Sequence, residues 1–368
     1  TLMRRPVAIY PFGRNLLPLV RHFEALQDKY SVQTLIAPNG FSLFERDAGF
    51  ICNCQELGLL VSDESGLHNK VWSELMLYKG FGNELVGSEM VVRVAEIACS
   101  LGKKVTYFDD KLEPIPNGLK KLSERHPNNI GFSIDGDSPL RDRRIRSDYA
   151  SIKTPVILVG SLVEDGSSLE IIAGLTEQIR LMGLRPLVLT KYPIGFIVGF
   201  HCLRHIFLDL KLSEKEKIYQ LNLLIQDYEN TMTPDVILLE APDPLMRYSN
   251  HEPNGFGILS YMLCQAIRPD SLVCSMPCDL VTGQFMQTIS DDFIIRYGAP
   301  IDAVHVNNII IDSADLLQSH EMSFVHIDQV KVQNQINKES NSSAIPIFNV
   351  LLDNAAMLWS HIYEQLIK

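Results

Sequence analysis

Short apolar runs alternate with longer amphipathic stretches along most of the chain. Residues 7–10 and 155–160 are apolar almost throughout and have the length of a strand, as buried parallel strands do. Residues 16–26 and 168–182 instead repeat apolar side chains at helical spacing. Repeated strand–helix–strand units predict an α/β fold with two Rossmann-like domains, each built on a parallel sheet with helices on both faces.

A polar segment broken by prolines, residues 109–151, separates two such stretches. We therefore predict three parts: a Rossmann-like N-terminal domain with its linker over 1–150, a second α/β domain over 151–330, and a polar tether with a C-terminal helix over 331–368. That helix is expected over 347–367, docked by Leu351, Leu352, Leu358 and Ile362.

A basic cluster lies inside the separating segment. Such a charge run is typical of a solvated linker, and the alternative is a cluster that holds an anionic ligand. Its members are Arg141, Arg143, Arg144 and Arg146.

Composition limits the function only coarsely. Acidic residues outnumber basic ones by 44 to 33, and the formal net charge is −11. That balance favours solubility and argues against broad nucleic-acid binding, which needs a positive field along the phosphates. The apolar runs are too short for a membrane helix, and the seven cysteines are not spaced like a disulfide framework. We therefore expect a cytoplasmic protein with reduced thiols.

The turn after the first strand of the second domain is the main candidate for chemistry. A P-loop has the pattern G-x-x-x-x-G-K-[ST] between a strand and a helix, where backbone N–H groups and the lysine hold phosphates. Here the strand ends at Gly160; Ser161 stands at the first glycine and Ser167 at the lysine, whereas Gly166 and Ser168 keep their places. The second domain is therefore predicted to be like a P-loop NTPase with a degenerate phosphate loop.

The same turn has features that weaken nucleotide binding. Glu164 and Asp165 put negative charge where phosphates would lie, and two unit charges about 4 Å apart repel by roughly 4 kcal/mol at an effective dielectric of 20. Tight ATP binding is disfavoured unless a cation bridges. Ser167-x-x-Glu170 is also a capping-box pattern, which satisfies helix N–H groups without a ligand.

Further candidates follow other predicted strands. Lys191 could approach the turn in place of the missing lysine, and Glu240 ends an apolar strand where, together with Ser168, it could hold Mg²⁺. Asn254 and Gly255 precede a predicted helix and form a second candidate anion site. The candidate ligand- or nucleotide-binding residues are Gly160, Ser161, Asp165, Gly166, Ser167, Ser168, Lys191, Asn254 and Gly255.

Several short stretches together resemble a known family. They are residues 9–12 with Arg21, 47–49, 165–167, 189–191, 199–201, 240–242, and 254–258 with Tyr261. In this order they resemble the peptide maturation system proteins of clostridial-type natural-product cassettes, which accompany radical-SAM peptide maturases and acyl-carrier-related proteins. The resemblance implies a part in making a ribosomally encoded, modified peptide, with the precursor peptide, the maturase or a carrier-like protein as partners. It implies no catalytic residue.

Three functions are compatible with these features. The first is an accessory protein of peptide maturation whose degenerate P-loop-type site binds a peptide, a carrier or an anionic ligand. The alternative is an ATP- or GTP-dependent ligase or amide-forming enzyme, with Lys191 replacing the lysine and Ser168 and Glu240 holding Mg²⁺. The third is a structural interaction protein, a homo-oligomer that exchanges its C-terminal helix.

Overall fold

The chain divides into two compact units in the computed structural model, Thr1–Ser138 with Tyr192–His205, and Pro139–Lys191 with Ile206–Lys368. The structure describes residues 4–13, 16–26, 29–40, 44–51, 56–78, 86–109, 115–134, 149–250, 256–319 and 322–367. Each unit contains one of the two sheets expected from the alternating pattern. Residues 192–205 belong to the first unit, although they follow the start of the second unit in the sequence.

The first unit contains a six-stranded parallel sheet. Its strands are β1 Arg5–Tyr10, β2 Tyr30–Ile36, β3 Val61–Ser62, β4 Glu74–Tyr78, β5 Lys104–Asp109 and β6 Ile130–Ile134. They lie in the order β3-β2-β1-β4-β5-β6, which is the strand order of the Rossmann fold. The helices are α1 Leu17–Leu26, α2 Ala48–Ile51, α3 Ser88–Ser100 and α4 Asn117–Arg125.

The apolar runs of these strands form the core of the first unit. Leu75 and Leu77 of β4 are fully buried in one hydrophobic cluster with Val91 and Val94 of α3. These helix residues are three apart, so they lie on one face. The sheet therefore buries that face of α3.

Among the described residues, the second unit contains the strands β7 Val156–Ser161, β8 Pro186–Thr190, β10 Val236–Glu240, β11 Ser271–Met276, β12 Ala303–Val306 and β15 Ile347–Phe348. They lie in one sheet in the order β15-β12-β11-β7-β10-β8, and each neighbouring pair is parallel. Strand β9 His201–Cys202 belongs to the segment of residues 192–205, and β13 Ile309–Ile311 and β14 Phe324–His326 form a separate antiparallel pair. The predicted α/β fold with two parallel sheets is confirmed.

The remaining helices follow the strands of this second half of the chain. They are α5 Ser167–Leu181, α6 Arg204–Phe207, α7 Glu214–Met232, α8 Ile258–Ala266, α9 Gly283–Tyr297, α10 Ser313–Ser319, α11 Gln329–Ser340 and α12 Ala356–Leu366. The long helix α7 begins with a full capping box, in which Ser213 accepts from the Glu216 N–H while Glu216 accepts from the Ser213 N–H. None of the described helices is both long and apolar enough to cross a bilayer.

The C-terminal part differs from the expected tether and helix. The segment expected to be a tether contains α11, because Asp328 accepts from the Val330 N–H and caps the helix while Val332 and Ile336 are buried. The expected helix over 347–367 is shorter, since residues 347–348 pair with β12 as the edge strand β15.

The start of α12 is set by two left-handed residues. Asn354 and Ala355 have φ values of 51° and 63°, so a helix cannot run through them from residue 347. Leu358 and Ile362 are buried, as predicted, whereas Leu352 lies before the helix and is 49% exposed. The prediction that Leu352 docks the helix is therefore wrong.

Regular structure also occurs within the segment expected to be irregular. Helix α4 and strand β6 lie between residues 117 and 134, with Leu119 and Leu122 buried. The predicted arginine cluster over 141–146 lies outside the described residues.

Candidate functional site

The carboxyl ends of β7, β10 and β11 meet at one edge of the second sheet, where residues 162–166 lead from β7 into α5. Ligand sites of open α/β sheets lie at this edge. Buried polar side chains collect there, although apolar residues fill the strands behind them. They are Ser161, Ser167, Ser168, Lys191, Glu240, Ser275 and Asn307.

Two glycines determine the path of the turn. The Leu245 side chain lies 2.7 Å from the position that a Cβ on Gly160 would occupy, so a larger residue does not fit there. Gly166 has a φ of 82° directly before α5, a conformation that costs glycine little. Gly160 is therefore glycine because the Leu245 side chain lies close, and Gly166 because of its backbone conformation.

The first half of the turn packs inward. Leu162 and Val163 are buried, the Leu162 N–H donates to the Ser275 carbonyl at 3.0 Å, and the Ser161 hydroxyl donates to the Val163 carbonyl at 2.8 Å. Glu164 is exposed and Asp165 is partly exposed. Solvent therefore meets the turn at its two acidic residues.

Asp165 covers the N-terminus of α5. Its Oδ1 accepts from the Ser167 N–H at 3.1 Å and from the Ser167 hydroxyl at 2.6 Å, and its Oδ2 accepts from the Asn307 side-chain amide. In a P-loop a phosphate takes this position because the helix N-terminus attracts negative charge. Here a carboxylate of the chain itself is the anion at the helix end.

The expected capping box at α5 does not form. The helix begins at Ser167 with Gly166 as its N-cap, so Ser167 does not occupy the N-cap position that a capping box needs. The Ser167 hydroxyl donates to Asp165, and the Ser275 hydroxyl, 2.7 Å away, can donate to Ser167 in turn. The serine at the lysine position thus joins a hydroxyl–carboxylate chain.

Lys191 directly follows β8 and reaches the same turn. Its Nζ lies 2.7 Å and 2.8 Å from the two carboxylate oxygens of Glu164. The Lys191 side chain is 4% exposed and the Glu164 side chain 43%. The lysine proposed to replace that of the P-loop does lie at the turn, but its ammonium is paired with a carboxylate of the turn.

Ser168 and Glu240, the predicted Mg²⁺ ligands, contact each other. The Ser168 hydroxyl donates to Glu240 Oε1 at 2.7 Å, and the Lys191 N–H donates to Glu240 Oε2 at 3.2 Å. Within the described ranges no group of three or more His, Cys, Asp or Glu side chains could hold a metal ion. The two residues are therefore neighbours, and each carboxylate oxygen of Glu240 accepts one hydrogen bond from the chain.

Burial and charge shift the pKa values of this cluster. Burial raises the pKa of Asp165 to about 6, although the hydrogen bonds from Ser167 lower it. Burial raises the pKa of Glu240 to about 7, although the charge of Lys191 opposes the shift. For Lys191 burial alone would lower the pKa, but Glu164, Glu240 and Asp165 together raise it. The neighbouring carboxylates therefore favour the charged form of the lysine.

The N-terminus of α8, which the second candidate anion site precedes in the sequence, is capped by a carboxylate. Asp243 accepts from the Leu259 N–H at 3.1 Å and the Ser260 N–H at 2.8 Å, and so caps α8. Asn254 and Gly255 lie outside the described residues. Two helix N-termini that follow strands of this sheet thus each have an internal anion.

Sequence reasoning missed two residues of the site, Ser275 and Asn307. Ser275 is fully buried at the end of β11, and Asn307, 6% exposed, directly follows β12. The signal that identified Glu240, a polar residue at the end of an apolar run, also marks Ser275 and Asn307. Contact with Asp165 depends on strand order, which the sequence pattern leaves open.

The fold and the turn define a class: an α/β protein with two parallel sheets, the second with a strand–turn–helix in which the Asp165 carboxylate covers the helix N-terminus. No protein-family model and no curated protein matches the sequence. Among solved structures the chain is similar to a DUF1611 family protein from Anabaena variabilis, with a TM-score of 0.64 and 13% identity over 98% of this chain and 100% of that one. At that identity the similarity shows the fold alone.

A second solved structure is far less similar. Chloroplast FtsY from Physcomitrella patens matches with a TM-score of 0.29 and 10% identity, over 62% of this chain and 74% of that one. That likeness is too low to support an argument.

Proposed function

We propose that the protein is a non-hydrolysing accessory protein in the maturation of a ribosomally made, modified peptide, and that its second unit binds the peptide. The sequence resemblance to peptide maturation system proteins supports the process. The observation that carries the proposal is that the groups expected to hold a nucleotide phosphate in this turn are engaged by carboxylates of the chain. Lys191 is engaged by Glu164, and the N-terminus of α5 by Asp165.

Charge favours a peptide over an anionic ligand. A phosphate or carboxylate brought to this turn would lie beside Glu164 and Asp165, and each close pair of like charges costs roughly 4 kcal/mol at an effective dielectric of 20. It would also have to displace Glu164 from Lys191, a pair that has two short contacts. A peptide can bring N–H donors or positive charge instead.

The repulsion between phosphates and the two acidic residues also weakens the alternative of an ATP- or GTP-dependent ligase. The observation in favour of the ligase is that Lys191 lies at the turn, where that mechanism needs a lysine. Nucleotide binding with Mg²⁺, measured by calorimetry on the wild type and on Lys191→Ala, separates the two functions. We expect no binding of either nucleotide up to millimolar concentration; binding that Lys191→Ala abolishes would favour the ligase.

The test of the proposal itself is association with peptide. The purified full-length chain is immobilised, and the precursor peptide, the radical-SAM maturase and the carrier-like protein of its cassette are offered separately. We expect retention of the precursor peptide. If none of the three is retained, the protein does not act in peptide maturation as proposed.

Restoring the P-loop lysine gives a further check on why nucleotides are excluded. Ser167→Lys alone should still fail to bind ATP, because Asp165 remains over the helix N-terminus. Ser167→Lys combined with Asp165→Ala should bind ATP measurably better, since the helix end is then open. Equal behaviour of the two variants would mean that Asp165 does not block the site.

A further inference from the structure

Carboxylates outnumber cations among the groups that interact at the turn. The charge of Lys191 acts on the pKa of Asp165, Glu240 and Asp243, and Lys191 is paired with Glu164. With all five groups ionised, four carboxylates share one ammonium and three negative charges remain. Burial raises the pKa of Asp165 and Glu240, so protonation relieves part of this excess at neutral pH. A bound cation would relieve it as well.

The turn also has a buried acceptor with no donor. The Asn307 side-chain amide donates to Asp165, and Oδ1 of the same amide is buried without a hydrogen-bond partner among the described residues. Asn307 is 6% exposed. An acceptor left unpaired at such a depth is costly, and its cost is recovered when a ligand donor reaches it.

The chemistry of this set matches an ammonium group. A primary ammonium has three N–H donors and no acceptor. Glu164, Asp165 and Asn307 offer carboxylate and amide oxygens; Glu164 is exposed and Asp165 is partly exposed at the turn. A metal ion fits less well, since the described residues contain no group of three or more His, Cys, Asp or Glu that could hold one.

We propose that Glu164, Asp165 and Asn307 form an ammonium site that recognises a primary amine of the bound peptide. The inference rests on the proposed function, because it names the group of the peptide that the second unit recognises. A peptide offers two sources of this chemistry, its amino terminus and a lysine side chain.

Short peptides separate these sources and do not require the precursor. The probes are Gly-Gly-Gly-NH₂ with a free amino terminus, Ac-Gly-Lys-Gly-NH₂ with only a side-chain amine, and Ac-Gly-norleucine-Gly-NH₂ with neither. Binding to the full-length protein is measured by calorimetry and by NMR of the labelled chain. We expect at least one amine probe to bind about tenfold or more tighter than the norleucine peptide, with an affinity that falls as salt is added.

Two variants link the effect to the site. Asp165→Asn keeps the shape of the side chain and removes its charge, and we expect it to abolish the preference for the amine. Asn307→Leu removes the unpaired acceptor and should reduce the preference. Asp291→Asn, at an exposed aspartate of α9, serves as the matched control and should bind like the wild type. Thermal unfolding of each variant identifies any loss of fold.

The outcomes distinguish this inference from the proposed function. If no amine probe binds better than the norleucine peptide, or if Asp165→Asn and Asn307→Leu both keep the full preference, the ammonium site is wrong even when the precursor peptide is retained. Tight Mg²⁺ binding with no response to amines would equally overturn it. If the amine preference is present but the precursor is not retained, the site stands and the role in peptide maturation is wrong.

Discussion

Lys191 is the residue on which the electrostatics of the turn depend. It is buried, it pairs with Glu164, and its charge lowers the pKa of Glu240 against the effect of burial. A buried ammonium is tolerated only where carboxylates compensate its desolvation. Removing it leaves carboxylates close together without their shared cation.

We therefore expect Lys191→Met to lower the free energy of unfolding by about 3 kcal/mol. The matched control is Arg185→Met, which breaks the exposed pair of Arg185 with Asp235 at 3.2 Å near the other end of the same strand, and should cost less than about 1 kcal/mol. Urea denaturation measures both. Equal losses in the two variants would show that the burial of Lys191 does not matter.

Glu240 makes stability depend on pH. Its pKa is raised to about 7 by burial, and that of Asp165 to about 6, so the folded protein keeps protons that the unfolded chain loses near pH 4. At these two groups the folded state binds more protons over that range, so their contribution to the free energy of unfolding decreases as pH rises from about 4 to about 7.

Glu240→Gln should flatten this decrease, because it removes the proton that Glu240 retains. We expect the free energy of unfolding of the variant, relative to that of the wild type, to increase by about 1–3 kcal/mol between pH 4.5 and pH 7.5. Denaturation curves recorded across that range test it. Parallel curves for the two proteins would contradict the assigned shift.

At the scale of elements, the strand–turn–helix from β7 to α5 depends on the close approach of a third segment. Leu245 packs on Gly160, and its N–H donates to the Ser161 carbonyl at 2.9 Å. The turn is therefore held from the side by the chain that follows β10. The Leu245 contact and the Asp165 carboxylate both hold the turn through groups of the chain itself.

Gly160→Ala should destabilise the protein by about 1–3 kcal/mol, since the added Cβ meets Leu245 at 2.7 Å. Gly283→Ala in α9 is the control, because its Cβ would lie at an ordinary 3.5 Å from Ser342 and the residue is helical. We expect the control to be neutral or slightly stabilising. Denaturant midpoints of both variants, compared with wild type, are the measurement; no loss in Gly160→Ala would mean that Leu245 moves freely.

At the scale of the whole molecule, the C-terminal helix belongs to the second unit within one chain. The Gln178 side chain donates to the Asn354 carbonyl at 2.9 Å, and a Cβ on Gly174 would lie 3.0 Å from Ala355, so the start of α12 packs against α5. Leu358, Trp359 and Ile362 are buried in α12. The helix thus covers α5, which also provides the site.

Deleting residues 347–368 should lower the stability of the second unit and promote association, because it removes edge strand β15 and uncovers apolar surface. Light scattering and denaturation measure the two effects. A chain shortened only after Leu366 should match the wild type. If the longer deletion has the same molar mass per particle, corrected for its length, and the same stability as the wild type, α12 is not part of the fold of this unit.

Much of the architecture was predictable because its signals are local. The apolar run of residues 155–160 placed β7 within a residue, helical spacing over 168–182 placed α5 within a residue, and the glycines at 160 and 166 indicated the turn between them. Each of these follows from backbone hydrogen bonding and side-chain periodicity over a few neighbouring residues. Strand β15 was missed because its pairing with β12 joins residues far apart in the sequence, which a local pattern does not show.

The sequence by itself determined that this protein is an α/β protein with a P-loop-like turn that lacks the lysine and contains two acidic residues. Only the tertiary structure decided what those acids do. Glu164 meets Lys191 and Asp165 meets Asn307 because β8 and β12 lie on either side of β7 in the folded sheet. Strand order arises from long-range packing. The contacts of Glu164 with Lys191 and of Asp165 with Asn307 therefore cannot be deduced from neighbouring residues.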